Sequence, residues 1–389
     1  MCMTLRPEIN VTKKVLLLDT AFAAVPIHSW LVAKGMDVWT MGNRAYDPLV
    51  LAAPERWIEG NYGDANFVAS VLSERLFDAV IPGCTDVSMD TFVRLNFHNF
   101  YKLSHETDQT LNNKQLFRKT CEELDLPAPR VFSPTSLPSS GKIICKPVDS
   151  FSGRGVSVFA ANDVTASAVA IENARKHSPV GNIICEEFVE GELRSYSAFL
   201  NSGRVRVAFS VREGSRYDPF AVDTSYLADE IDAPERLELQ KSVEKLARHL
   251  DLCDGLLHVQ YICGNSRIAI VEATRRCPGD LYAMLIEYST GFPFASNYAA
   301  AFVGEAVDEC PPVRRRILRH TVKQTGSSTF NGLEFTDLEN IFRIVPVRRL
   351  GEAMNPKILE RTALVFMDYQ DDNALKLAYE RRLDARQNR

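Results

Sequence analysis

The chain reads as an α/β protein, with an open parallel sheet at its N-terminal end and a hairpin-rich α+β region after it. From Lys14 the residues run VLLLD, a helical stretch over 21–34, Gly35 and a second strand, DVWTM, which together make a βαβ unit. A helical pattern from Asp64 to Glu74, followed by the apolar strand FDAVIPG at 77–83, repeats that alternation. Later, strands come in pairs joined by turn residues, at Asn201 to Gly203 and at Gly264 and Asn265, as antiparallel sheets require. A chain of 389 residues exceeds what one core usually organises, so two or three domains are expected.

Composition is that of an ordinary globular protein. The net charge of −5 arises from 45 basic and 50 acidic residues without a basic tail, which argues against nucleic acid as the main partner. Nine cysteines lie singly, with no CxxC pair and no histidine spacing for zinc, and read as reduced thiols. Cys145, Cys185 and Cys263 sit in apolar strands and are expected to be small core residues. The N-terminal apolar run, Val15 to Leu18, ends at Asp19 and is too short for a signal segment or a membrane span, so the expectation is a cytoplasmic protein with no membrane partner.

Taken in order, the first βα turn is DTAFAAVP, without glycine, which speaks against dinucleotide binding and hydride transfer. Leu116, Phe117, Cys121 and Leu124 then fall at helical spacing, with Asn112 or Asn113 as N-cap and Pro127 and Pro129 as stops. Lys114 would lie in the first turn, where the helix dipole favours negative charge; alone it reads as a solvated lysine. In GKIICKPVDSFSGRGV (141–156) a strand leads to Lys146 and a hairpin whose Gly153 and Gly155 can turn their amides toward phosphate oxygens. The same segment fits an ordinary hairpin equally well.

A helix is expected from Asp163 to Lys176, then a strand over 183–185 running into Glu186 and Glu187. These two are either a solvated edge or carboxylates facing a cleft. Residues 212–230 lack periodicity and read as a long loop, and Pro234 opens a helix with Leu237, Val243, Leu246, Ala247 and Leu250 on one face. In the next hairpin His258 and Gln260 share a face, and strict alternation puts Glu272 on the face of Ile268 and Ile270, where a carboxylate asks for a metal or an arginine. Helices over 281–289 and ending at Val303, strands over 342–346 and 362–367, and a charged helix after Asp371 complete the chain. RRRILR (314–319) reads first as a strand edge or solvated face, and second as a phosphate or carboxylate binder.

In this order the pieces resemble the ATP-grasp superfamily, particularly its carboxylate–amine ligases and the ATP-binding halves of carbamoyl-phosphate synthase. NNK (112–114) resembles the family's helix-opening lysine motif, KPVDSFSGRGV (146–156) its glycine-rich loop, and EEFVEGE (186–192) its adenine linker. VQYI (259–262) and VEATRR (271–276) resemble its paired metal strands, and PGDLYAMLIEYSTGF (278–292) the segment after them. The resemblance implies a pre-ATP-grasp α/β domain over 12–104, an ATP-grasp domain over 105–306 with a lid subdomain at about 141–190, and a C-terminal α+β subdomain over 307–389.

It also implies roles. Lys114 and Lys146 would contact ATP phosphates, under a closing loop that includes Ser152, Gly153 and Gly155. Glu186 would accept from the adenine amino group, with Glu187 beside it; the Val189 backbone would pair with the ring, and Glu192 would bind the ribose. Gln260, Glu272 and Thr274 would hold the metal, although the family usually has an acid at the first position and an asparagine at the third. Arg276 would stabilise the developing charge, with Lys146 as the second catalytic group. The implied activity joins a small-molecule carboxylate, such as an amino acid, to an amine through an acyl phosphate, releasing ADP and phosphate. ATP and Mg²⁺, or Mn²⁺ in its place, are the implied cofactors, and a homodimer is a common assembly for such folds. An ATP-binding protein of this fold that has lost catalysis is the competing expectation, motivated by Gln260 and Thr274.

Overall fold

Residue-long apolar runs become a buried parallel sheet only when helices cover both faces, and the N-terminal region supplies them in alternation. The computed structural model describes residues 12–383 except 96, 151–152, 219, 229–232, 265–266, 308–309, 326–327, 334 and 336–339. Strands β1 (Lys14–Leu18), β2 (Asp37–Gly42), β3 (Trp57–Glu59) and β4 (Ala79–Pro82) alternate with helices α1 (Val25–Ala33), α2 (Pro48–Ala52), α3 (Ala65–Glu74) and α4 (Asp86–Arg94). They form a parallel sheet in the order β3-β2-β1-β4, with Val15 to Leu18 fully buried at its centre. The glycine-free turn after β1 is closed by its own side chains. Asp19 accepts from the amides of Ala21 and Cys84, and a Cβ at Gly83 or Gly42 would collide with Asp19 or Thr20.

The second region opens with α5 (His105–Asn112) and α6 (Lys114–Glu123). Strands β5 (Val131–Phe132), β6 (Lys142–Pro147), β7 (Ser157–Ala160) and β8 (Ile183–Glu187) form a small antiparallel sheet in the order β5-β8-β6-β7. Helix α7 (Val164–His177), capped by Asp163, packs on it over a core of Ile143, Cys145, Phe159, Ala174 and Cys185. Cys145 and Cys185 are thus core residues directly opposite each other on neighbouring strands.

A second, eight-stranded sheet follows. It uses β9 (Glu192–Asn201), β10 (Arg204–Gly214), β11 (Thr224–Leu227), β12 (Gly255–Cys263), β13 (Ile268–Thr274), β14 (Arg316–Gln324), β15 (Ile341–Pro346) and β16 (Glu360–Tyr369), in the order β13-β12-β9-β10-β11-β14-β16-β15. Helices α8 (Ala233–His249), α9 (Tyr282–Thr290), α10 (Phe294–Val303) and α11 (Asp372–Leu383) are interspersed. The chain divides into two compact units, Met1–Lys102 with Ala295–Asp308, and Leu103–Phe294 with Glu309–Arg389. Within the first, Tyr298 on α10 donates to Pro82 O and Phe302 stacks on Tyr101 with centroids 4.3 Å apart. Within the second, β14 to β16 extend the same sheet that β9 to β13 begin. No described helix is long and apolar enough to cross a membrane.

Two expectations are overturned. The supposed loop over 212–230 contains the end of β10 and all of β11, paired antiparallel with Arg212 opposite Tyr226; a four-residue strand held by its neighbours leaves little periodicity to read. Second, Glu272 does not share the face of Ile268 and Ile270. Gln260 lies opposite Glu272 while Tyr261 lies opposite Ile270, so Val271 is an extra residue in β13. This β-bulge reverses the alternation. Ile268 and Ile270 enter the core with Leu246 and Val259, and Glu272 emerges exposed on the other side.

Candidate functional site

The site is built within the second unit, from the small sheet, the start of α6 and one face of the large sheet. Asn113 is the N-cap of α6, accepting from the amides of Gln115 and Leu116 at 3.0 and 3.2 Å, which puts Lys114 at the first helical position. Its backbone amide donates to Val148 O and its ammonium to Ser150 O at 2.7 Å, so the helix start is tied to the chain just after Lys146. Burial pushes the Lys114 pKa down, nearby Glu272 opposes that, and Lys146 reinforces it. Lys114 therefore lies within electrostatic reach of both sheets.

On the small sheet, Glu186 is fully buried between two cations, with Lys146 Nζ at 2.7 Å and Arg118 Nε at 2.6 Å. Burial raises its pKa, but Lys146 and then Arg118 outweigh burial and hold the carboxyl below its ordinary range. Arg118 was missed in the sequence. The available signal was its position four residues after Lys114, one turn along the same helix face. Glu187 is half-buried and ties the small sheet to both flanks, accepting from Arg130 Nε at 2.7 Å and pairing with Arg267. Val189 follows in the half-buried linker. Gly153 and Gly155 have φ of +71° and +75°, and a side chain at Gly153 would meet Phe220. Ser152 lies outside the described residues.

On the large sheet, Ser195, Gln260 and Glu272 form one row across β9, β12 and β13, and Ser197, His258 and Thr274 form the next. Gln260 Nε2 donates to Glu213 Oε2 at 2.8 Å, and Ser195 Oγ donates to Glu213 Oε1 at 3.1 Å. Burial pushes the Glu213 pKa up to about 7 against the pull of Arg319, Ser195 and Gln260. Tyr282 OH lies 3.0 Å from Ser195 Oγ and accepts from Ser197 Oγ, which is 2.7 Å from His258 Nδ1. Each hydroxyl has one proton, so with Ser195 donating to Glu213 the chain runs one way, from a His258 Nδ1–H through Ser197, Tyr282 and Ser195 to Glu213. Burial lowers the His258 pKa to about 3, so its ring is neutral. Glu213, Ser195 and Tyr282 were not singled out in the sequence, and Arg319 only as part of the basic run 314–319, because their strand was read as a loop or their polar atoms meet only in three dimensions.

Among the described residues Glu272 has no hydrogen bond or ion pair; Gln260 lies opposite it on the neighbouring strand, with Nε2 donating to Glu213 and Oε1 as its remaining acceptor. These are hard oxygen ligands on adjacent strands and fit a divalent cation such as Mg²⁺. Thr274 is buried and its hydroxyl accepts from the Arg276 amide at 3.3 Å. Arg276 is half-buried and close enough to His258 to lower its pKa. No described group of three His, Cys, Asp or Glu side chains would hold a metal alone. Glu192 stands apart, three residues before Ser195 on β9, exposed and joined to Arg194 and Arg212. Beyond Arg276, Asp280 and Leu281 both adopt left-handed backbone, and the Asp280 carboxylate pairs with Arg361.

No family model matches the chain, and no curated protein matches it in sequence. Solved structures do. An L-amino acid ligase from Bacillus licheniformis matches with a TM-score of 0.75 at 19% identity, over 95% of this chain and 96% of that one. Phosphoribosylglycinamide synthetase from Anaerococcus prevotii gives 0.72 at 14%, over 95% and 97%. N5-carboxyaminoimidazole synthetase from Staphylococcus aureus, complexed with ADP, gives 0.69 at 10%, over 96% and 97%. The chain has the ATP-grasp fold. An ATP-grasp topology explains why residues from NNK, the glycine-rich loop and the paired strands, far apart in sequence, are gathered within one unit.

Proposed function

We propose that this chain is an ATP-dependent ligase that joins a small-molecule carboxylate to an amine through an acyl phosphate, releasing ADP and phosphate. The observation that carries the reading is the buried Lys146–Glu186–Arg118 cluster, to which Lys114 is tied through Ser150 O, with the Lys114 ammonium near enough to Glu272 of the large sheet to feel its charge. A triphosphate needs such cations, and phosphoryl transfer is catalysed chiefly by charge placement. Lys114 and Lys146 are assigned to the phosphates, Glu186, Glu187 and the Val189 backbone to the base, and Arg276 to the developing charge. Glu272 and Gln260 Oε1 would hold Mg²⁺, which supplies charge neutralisation on the phosphoryl oxygens when bound. Similar solved structures include an L-amino acid ligase, in keeping with an amino acid as one substrate.

The second reading, an ATP-binding protein without catalysis, is favoured by one observation: Thr274 is buried and its hydroxyl already accepts a hydrogen bond from the Arg276 amide. A phosphate-release screen with MgATP, pairing amino acids and small carboxylates with amines, separates the two. Release that requires both partners and is lost in Lys146→Met supports the ligase. ATP binding without release from any pair favours the second reading, and failure to bind ATP refutes both.

A further inference from the structure

The basic run 314–319 has no part in the reading above, yet its residues Arg314 to Ile317 line a cavity of about 550 Å³ in the second unit, placed where the short strand β11 ends. Six cations line this cavity, Arg194, Arg212, Arg314, Arg315, Arg316 and Lys376, with Asp372 in its wall and with Glu192, Glu235 and Asp368 paired to Arg212, Arg194 and Arg315. Several are already held in place: Arg315 by Asp368 at 2.9 Å, Arg316 by Asp372 at 2.7 Å, and Arg212 by Glu192 and Tyr226 OH. Side chains fixed in this way are preorganised as a binding wall. Two donors are left over. Ser289, only 2% exposed, has an Oγ with no hydrogen-bond partner, and the buried Nε of Arg194 has none. A buried donor without a partner is costly, and both residues line the same cationic cavity.

The geometry points to a binding site for a phosphate-bearing small molecule, separate from the Glu272 cluster. A phosphoryl group offers three acceptor oxygens and about two negative charges, which suits several guanidinium groups and a hydroxyl better than one carboxylate does. The volume exceeds that of the anion, and Leu227, Val313 and Leu375 supply apolar wall for an organic body. Strand alternation separates the two sites. Glu213 projects toward Ser195 and Gln260, so its neighbour Arg212 projects from the opposite face of β10, together with its cross-strand partner Arg194.

The test uses the full chain and pyrophosphate as probe, titrated by calorimetry at low salt. Two variants address the cavity: Ser289→Ala, which removes an orphaned hydroxyl and leaves thermal stability unchanged, and the exposed Arg314→Gln. A third, Lys146→Gln, addresses the proposed ATP site instead. The expected result is one pyrophosphate site that persists in Lys146→Gln and weakens at least fivefold in each cavity variant. No binding by the folded wild-type chain, or binding that Lys146→Gln abolishes and the cavity variants leave intact, overturns the proposal. Because the readout is anion binding without ATP, the outcome is independent of whether the ligase reading holds.

Discussion

Lys146→Met probes the centre of the small sheet, because it keeps an apolar stem of similar length while taking one of two cations from a fully buried carboxylate. Stranding Glu186 without any partner would cost about 3–5 kcal/mol. Arg118 remains at 2.6 Å, so the loss is that of one charge-assisted hydrogen bond, about 1.5–3 kcal/mol. In a unit of this size that lowers the melting midpoint by roughly 3–5 °C. The sign of the pH dependence follows from the depressed pKa of Glu186 in the folded chain. Its contribution is present above the unfolded value of 4.5 and is lost as pH falls through the lower folded value.

The gap in stability between wild type and Lys146→Met, measured by urea unfolding followed by circular dichroism, should therefore be full at pH 7 and narrow progressively in acid. ATP affinity, measured by calorimetry at pH 7, should fall about tenfold or more, since a cation is removed from a polyanion site. Adding Glu186→Gln should lower stability further, because it leaves buried Arg118 without its countercharge, and should restore none of the ATP affinity. A variant as stable as wild type at both pH values, or a gap that ignores pH, would show that the Lys146–Glu186 pair is not the buried ion pair described here. Unchanged ATP binding would remove Lys146 from the phosphate assignment.

Glu213→Gln should behave in the opposite sense. Its pKa is raised in the folded state, so its favourable contribution is complete below the unfolded value of 4.5 and lost as pH rises through about 7; the variant should gain up to about 3 kcal/mol over wild type at pH 8 and little at pH 5 in urea titrations. Glu272→Gln is an exposed change and should leave unfolding within about 0.5 kcal/mol of wild type while ATP-dependent phosphate release falls by about 10²-fold or more, with a raised Mg²⁺ requirement; full activity would place the metal elsewhere. Gln260→Glu replaces a donor to Glu213 with a second acceptor, costing about 1–3 kcal/mol at pH 8, and Glu213→Gln in the same chain should relieve it.

Features that depend on short-range geometry were legible in the sequence. A cap at Asn112 or Asn113, which the structure places at Asn113, Lys114 in the first helical turn, positive φ at the two loop glycines and the shared face of His258 and Gln260 all follow from spacing and local sterics. What failed was whatever a single inserted residue or a distant partner decides. Alternation through Val271 is correct on each side of the bulge and wrong across it, so Glu272 was assigned to a buried face when it stands on an open one. Glu213 carries no local signature of its role and Arg118 only its helical spacing from Lys114, since what defines them is Glu186 on a strand of the small sheet and Gln260 on a strand two places away.

The glutamine at position 260, which looked like a defect in a metal site, has a physical reason once Glu213 is placed. Glu213 and Glu272 already bring two carboxylates to one side of the sheet, near enough for Glu272 to push the Glu213 pKa upward. A third acid between them would be repelled by both. The amide instead meets Glu213 as a donor, with Nε2 giving it a hydrogen bond, and Gln260 lies directly opposite Glu272 on the neighbouring strand. The buried acid on this face comes from β10, with its two oxygens held by Ser195 and Gln260. Its raised pKa makes it a group that changes charge near neutrality, and the one-way hydrogen-bond chain from His258 ends on it. Substitution at 260 and burial of an acid at 213 are therefore two halves of one arrangement, and neither is explained by its own stretch of sequence.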